Sequence, residues 1–361
     1  MTLPDPLKGF QENVPLAPMT TLGIGGPARW FFAADSVDAL REATAWAVRH
    51  GIPLFLLGGG SNVVIADEGF DGLVIGNRIT GIDSSHDTGA VRLKVGAGQE
   101  WDPLVERAVE RNWAGIETLS GIPGSVGATP VQNVGAYGQE VSETIVEVEA
   151  MERRSGKLRI FTNAECHFAY RDSFFKSEAK DEFIIVAVSY RLRPGGKPAL
   201  RYPELERKVR EIHGQSPTLL QVRESVIEIR RGKGMVIDPA DPDSRSDGSF
   251  FMNPIVNGED FQTFLQRATE ALPGISASDI PAFPAGDGKV KLSAAWLIEK
   301  AGFTKGYGEG AVGLSTKHAL AIVNRGGGTA VDVLTLVAEI QRTVANRFGV
   351  AIRPEPNFVG F

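Results

Sequence analysis

Between Asp35 and Gly51 the chain reads DSVDALREATAWAVRHG, with Leu40, Thr44 and Ala47 recurring at helical spacing. Asp35 or Ser36 supplies an N-cap oxygen and Gly51 a left-handed stop, so the pattern predicts a helix bounded at both ends. IPLFLL follows as a short unbroken apolar run, the mark of a buried strand, and delivers the chain into GGGSN at 58–62. Further short runs, GLVIG, VRLKVGAG and FIIVAVSYRL, are separated by glycine-rich turns. The first half therefore reads as a mixture of helices and strands.

After LRPGGKP, a boundary near residue 194, Leu219, Val222, Val226 and Ile229 mark one face of a helix that ends at RRGKG. A polar connector, DPADPDSRSDG at 238–248, leads to Ser249 in the stretch SDGSFFMNP. Further on, Thr329 caps a helix with Leu336, Val337, Ile340, Val344 and Phe348 on one face, and the chain closes in IRPEPNFVGF. Such stripes read as core packing. No repeat or low-complexity tract interrupts them.

At 361 residues the chain is longer than one core comfortably serves, so two or three domains are expected. Hydrophobic residues at 42% and charged residues at 23% describe an ordered globular protein. The net charge of -6 argues against a nucleic-acid partner, while leaving room for a local basic pocket around one phosphorylated ligand. The single cysteine, Cys166, permits no intrachain disulfide, and His50, His86, His167, His213 and His318 are dispersed, so no metal site is expected. Neither a secretory signal nor an apolar stretch of about 18 residues is visible, so the expectation is a cytoplasmic protein without membrane insertion.

Two loops have the composition to hold phosphates. In LLGGGSNVV, glycines let backbone amides approach an anion and Ser61 and Asn62 add side-chain donors. SGIPGSVGATPVQNVGAYG, residues 120–138, is the second. Neither carries the Gly-Lys-Ser/Thr of a Walker loop or the glycine spacing of a dinucleotide fingerprint. Spacing alone leaves both open as plain turns or as ligand cradles.

The ordered set TTLGIGGPA, GGGSNVV, VGAG, GIPGSVGATPVQNVGAYG, YRDSFFK, GSFFMNP and RPEPNFVG resembles the UDP-N-acetylenolpyruvoylglucosamine reductase (MurB) family, from about Thr20 to Gly360. The resemblance implies a flavoenzyme of peptidoglycan precursor synthesis with an α+β fold. Its FAD-binding domain would be of the vanillyl-alcohol oxidase (PCMH) type with two subdomains, followed by a C-terminal α+β substrate-binding domain. The implied division is an N-terminal arm at 1–17, a FAD domain at 18–193 split near 78, a substrate-loop and substrate domain at 194–347, and a segment at 348–361 returning to the active site.

Carried onto this chain, FAD would contact Gly58, Gly59, Gly60, Ser61 and Asn62, then Gly121, Gly124, Ser125 and Gly127. The isoalloxazine would lie along Gln132, Asn133, Gly135 and Ala136. Backbone amides would neutralise the pyrophosphate without bulk. The implied reaction has NADPH reduce FAD, and the reduced flavin pass hydride to UDP-N-acetylglucosamine enolpyruvate, giving UDP-N-acetylmuramate. A monomer is expected.

Three positions match the family's catalytic residues: Arg171, Ser249 and Glu355. Arg171 is a permanently charged fork suited to a carboxylate that gains charge; by itself it reads as a surface ion-pair partner of Asp172. Ser249 would protonate the carbon alpha to that carboxylate; by itself it reads as a turn serine. Glu355 helps an accumulating negative charge only when protonated, and otherwise orients. Phe250 and Phe251 either exclude water or alternate between two faces of a strand. Tyr202 and Lys233 match contacts to the substrate diphosphate and Asn253 a further polar contact, whereas Arg230 and Arg231 read equally as solvated helix-end charges. Met252 stands where the family commonly has lysine in GSFFKNP, which puts a charged role there in doubt. The alternatives are another flavin oxidoreductase on the same FAD fold and a catalytically silent nucleotide-sugar binder.

Overall fold

The computed structural model describes residues 7–361, so the first six residues of the expected N-terminal arm lie outside the described residues. Packing divides the chain into two interleaved units. The first takes in Pro27–Gly60, Phe70–Gly232 and the described residues up to Val14; the second takes in Pro15–Gly26, Ser61–Gly69 and Lys233–Phe361. Residues 194–232, placed by the sequence reading with the substrate domain, therefore pack with the first unit.

In the first unit, β1 (Pro27–Ala34), α1 (Val37–His50), β2 (Leu54–Leu57) and β3 (Phe70–Asn77) build a parallel sheet in which β3 lies between β1 and β2. Helix α1 begins where the sequence marked it: Ser36 Oγ accepts from the Ala39 amide, and Gly51 stops the helix at φ 64°. Its apolar face, with Leu40, Ala43, Trp46 and Ala47, is buried against Trp30, Leu73 and Ile75.

An antiparallel sheet follows, built from β4 (Ile82–Asp87), β5 (Ala90–Gly96), β6 (Ile145–Glu152), β7 (Leu158–Thr162) and β8 (Phe183–Pro194) in the order β7-β6-β8-β5-β4. Helix α2 (Trp101–Glu110) covers one face, burying Trp101, Leu104, Val105 and Ala108. Strand β8 is central and nearly continuous in apolar residues, as a strand covered on both faces must be. Helices α3 (Pro203–His213) and α4 (Leu219–Gly232) pack on each other through Leu205, Val209, Val222, Val226 and Ile229.

The second unit centres on α5 (Gly258–Ala271), α6 (Ala294–Ala301) and α7 (Ala330–Phe348), with β9 (Val312–Leu314) paired to β10 (Ile322–Asn324). A capping box between Thr329 and Asp332 starts α7, whose Val333, Ile340, Val344 and Phe348 enter the core. The strand Asn357–Val359 runs parallel to Val63–Ile65, and Leu22, Ile24 and Val64 join the same core. No described helix is long and apolar enough to cross a membrane.

Candidate functional site

Within the first unit the two glycine loops meet. A Cβ built on Gly59 would stand 2.5 Å from Gly124 Cα, and one on Gly58 would stand 2.9 Å from Ser125 Oγ. The Gly124 backbone cannot yield to a Cβ that close, so Gly59 needs glycine for the approach, whereas a side chain at Gly58 would have to displace the Ser125 hydroxyl. Main-chain bonds fasten the second loop to the end of β5: Trp101 N–H donates to Gly124 at 3.0 Å, Val126 to Gln99 at 2.8 Å, and Gly127 to Ala97 at 2.8 Å. The Gly121 amide donates to Asp102 Oδ1 at 2.6 Å. The amides of Gly121 and Gly127 are thus committed inside the protein, so these two glycines shape the cradle rather than donate to an anion.

The continuation of that loop carries the other expected contacts. Asn133 is buried at φ 47°, and its side chain is turned back into the loop, donating to Glu140 Oε2 (2.7 Å) and the Ala169 carbonyl (3.0 Å) and accepting from the Ser142 amide (3.2 Å). Ala136 offers its carbonyl to Thr118 Oγ1, and Gln132 is half-buried nearby in sequence. Gly135 accepts from Arg171 Nη2 at 2.7 Å. Asp172, by contrast, serves the Ser173 amide and the Ser177 hydroxyl at 2.9 and 2.6 Å. Arg171 itself sits at φ 54°, a left-handed conformation that costs a residue bearing a Cβ of order 1 kcal/mol or more and marks a site held by its surroundings.

Tyr202, at the entry to α3, rests edge-on against Tyr137 with ring centroids 5.5 Å apart, and Arg201 ties the same segment to Glu143 at 2.8 Å. Burial pushes the Tyr137 phenol up to about 12 and also raises that of Tyr202. Both phenols therefore stay protonated donors at neutral pH.

Beneath Gly121 lies a charged pair absent from the sequence reading. Arg223 of α4 grips Asp102 of α2 through two parallel bonds of 2.6 and 2.9 Å, and Arg230 Nε donates to the Gly121 carbonyl at 3.2 Å. Both arginines are buried, so Arg230 is not a solvated helix-end charge, while Arg231 is exposed. Burial pushes the Asp102 carboxyl up, but hydrogen bonds from Arg223 and the Gly121 amide and the charges of Arg223 and Arg230 outweigh it and hold it below its ordinary value. The one available signal was that the two arginines stand seven residues apart, on one face of a helix.

In the second unit, the Ser249 and Glu355 segments pair. Phe250 accepts from the Glu355 amide at 2.8 Å, Phe251 bridges Pro354, and Met252 N–H donates to the Arg353 carbonyl at 2.9 Å. Ser249 and Glu355 are both half-buried, whereas Phe250 and Phe251 both belong to the core. The two phenylalanines therefore do not alternate between core and solvent: Gly248 at φ 73° bends the chain just before them. Asn62 joins this group, donating through Nδ2 to the Glu355 carbonyl at 3.4 Å and accepting the Asn357 amide through its own carbonyl at 3.1 Å. Ser61 precedes it as a half-buried residue, and Gly60 turns at φ 64°.

Asn253 gives its side-chain oxygen to the Ala294 amide at the start of α6, and Lys233 is half-buried just beyond α4. Asp247, two residues before Ser249, is buried; its Oδ1 accepts from Thr21 at 3.1 Å and its Oδ2 makes no hydrogen bond of ordinary geometry. Burial pushes this carboxyl up to about 8, against hydrogen bonding from Thr21 and the Val63 amide.

Residues 28–162, which include both glycine loops, match the FAD binding domain family model, so the first unit carries a FAD-binding domain. Residues 239–359 match the model of the UDP-N-acetylenolpyruvoylglucosamine reductase C-terminal domain. The chain is 50% identical over 356 residues to the UDP-N-acetylenolpyruvoylglucosamine reductase of Thermobifida fusca, covering 97% of this chain and 98% of the relative. It is 47% identical to the enzyme of that name from Streptomyces coelicolor over 358 residues, covering 98% and 92%. The crystal structure of the Thermus caldophilus reductase superposes with a TM-score of 0.64 at 26% identity, over 96% of this chain and 98% of that one. The chain belongs to the UDP-N-acetylenolpyruvoylglucosamine reductase family, with the α+β architecture expected from its motifs.

Proposed function

We propose that this chain reduces UDP-N-acetylglucosamine enolpyruvate to UDP-N-acetylmuramate at the expense of NADPH, acting in the cytoplasm as a monomer in peptidoglycan precursor synthesis. The observation that carries the reading is the pairing of the Ser249 and Glu355 segments, with the Glu355 amide on Phe250, in a chain that matches reductases of this name end to end. The Gly58–Gly59 and Gly124–Ser125 contact fits the FAD pyrophosphate, because two glycine loops packed this closely present backbone without side-chain bulk to a phosphate resting on them. Gly58 to Asn62 and the Gly121–Gly127 loop would hold that part of the cofactor, and residues 132–136 its ring. FAD supplies a two-electron carrier between NADPH and the substrate.

The protein's own residues manage charge and protons. Hydride addition at the terminal carbon of the enolpyruvyl group drives negative charge onto its carboxylate. Arg171, already bonded through Nη2 to the Gly135 carbonyl, offers a permanent positive charge to that group; loss of such a donor raises a barrier by about 3 to 4 kcal/mol. The Ser249 hydroxyl donates its proton to the carbon alpha to the carboxylate. A serine is a weak acid, but a carbanion is a stronger base, so the transfer runs downhill, and a positioned acid contributes about 10²- to 10⁴-fold. Phe250 and Phe251, which follow Ser249, are buried in the core. Glu355 orients the reacting group or, when protonated, shares the developing charge. Lys233 and Tyr202 bind the UDP diphosphate, and Asn253 supplies a further polar contact to the substrate.

Following NADPH oxidation with and without the enolpyruvyl nucleotide tests the reading. Rapid turnover only with substrate is expected; oxidation at full rate without it would identify an oxidase instead.

A further inference from the structure

Gly121 opens the second glycine loop at φ 70°, and side chains from two helices take both of its backbone groups. Asp102 of α2 accepts its N–H at 2.6 Å, and Arg230 of α4 reaches its carbonyl at 3.2 Å. Asp102 is itself fixed by the bidentate grip of Arg223, whose Nη2 also meets Glu106 at 3.3 Å. The next link is backbone: Trp101, beside Asp102, donates its N–H to Gly124, the residue against which Gly59 closes. Two neighbouring residues of α2 thus hold two points of one loop.

Such an arrangement is poorly explained by stability. A buried guanidinium carries a desolvation penalty that a carboxylate only partly offsets, and apolar residues of the same volume usually stabilise a fold as well or better. What a planar fork adds is direction: it fixes the carboxylate it binds, and through it the peptide that the carboxylate accepts from.

We propose that Asp102 and Arg223 are positioning residues for FAD, holding the Gly121 peptide so that the Gly121–Gly127 loop keeps its contact with Gly58–Gly59, the two loops together forming the surface on which the pyrophosphate would rest. The proposal rests on the reading that these two loops hold the cofactor. It assigns no contact between either side chain and FAD.

The test is flavin release from the holoenzyme, followed as the rise in flavin fluorescence on dilution, for D102N, R223M, R223K and, as a probe of the cradle itself, S125A. Melting temperatures of the same samples at saturating FAD report the fold. Release about tenfold faster or more is expected for D102N and R223M, with R223K between them and the parent because lysine keeps the charge and loses the fork. Wild-type release from D102N and R223M alongside fast release from S125A would overturn the positioning role while leaving the cradle intact. Wild-type release from all four would overturn the cradle and the proposal together. Equal defects in R223K and R223M that merely follow a lowered melting temperature would make the pair structural, and would also overturn it.

Discussion

The amide of Glu355 donates to the carbonyl of Phe250 at 2.8 Å, so the C-terminal segment and the serine-bearing segment are joined by backbone, at Glu355 itself and one residue beyond Ser249. Because backbone holds them, the pairing of the two segments does not depend on the side chain of Glu355. E355Q should melt within about 1 kcal/mol of the parent, in line with half-buried positions that lose no packing. Substrate reduction should fall by about 10² or more while reduction of bound flavin by NADPH proceeds. Parallel loss of melting temperature and both half-reactions would mean that the side chain supports the fold instead.

Arg171 directs Nη2 to the Gly135 carbonyl at 2.7 Å and not to Asp172. D172N should therefore leave the arginine in place, although it weakens the turn that Ser173 and Ser177 make with that carboxylate. R171K keeps the charge and loses the fork, and a drop of about 10²-fold in kcat for the enolpyruvyl substrate is expected. A D172N defect larger than that of R171K would restore the ion-pair reading.

The close approach of Gly59 to Gly124 makes a further prediction. G59A places a methyl 2.5 Å from Gly124 Cα, which forces the loops apart. Purified G59A should be largely colourless, losing flavin well before it loses helical signal on heating. Full flavin content would show that the cradle lies elsewhere.

Much of this was legible in the sequence where the signal is local. Ser36 and Gly51 bound α1, and Thr329 with Asp332 starts α7, because caps act within one turn. The Arg223 grip on Asp102 joins residues 121 positions apart, and no local pattern announces it. The same is true of the strand Asn357–Val359, which pairs with Val63–Ile65 and draws 61–69 into the second unit, whereas the sequence reading put that stretch in the FAD domain. Ser249 and Glu355 were recognisable as motifs, but the pairing of their segments rests on backbone bonds between residues about a hundred positions apart, which no local pattern announces. Asp247 looked like one more acid in a polar connector; only burial distinguishes it.

That burial has a pH signature. The folded carboxyl is pushed up to about 8, whereas an unfolded aspartate titrates near 3.9. Between about pH 4 and 8 the folded state keeps a proton that the unfolded state gives up, so stability is greatest below that window and declines as pH rises through it, by up to about 1.4 kcal/mol per pH unit. D247N, which stays neutral, should remove this slope from urea midpoints measured at pH 6, 7.5 and 9. An unchanged slope would place the responsible group elsewhere.

The most direct test of the account separates the two half-reactions in S249A by stopped flow. Bleaching of the flavin by NADPH should match the parent, while its recovery on adding UDP-N-acetylglucosamine enolpyruvate should slow by several orders of magnitude, about 10²- to 10⁴-fold being typical of a lost positioned acid. Equal slowing of both phases, or recovery at the parent rate, would contradict Ser249 as the proton donor.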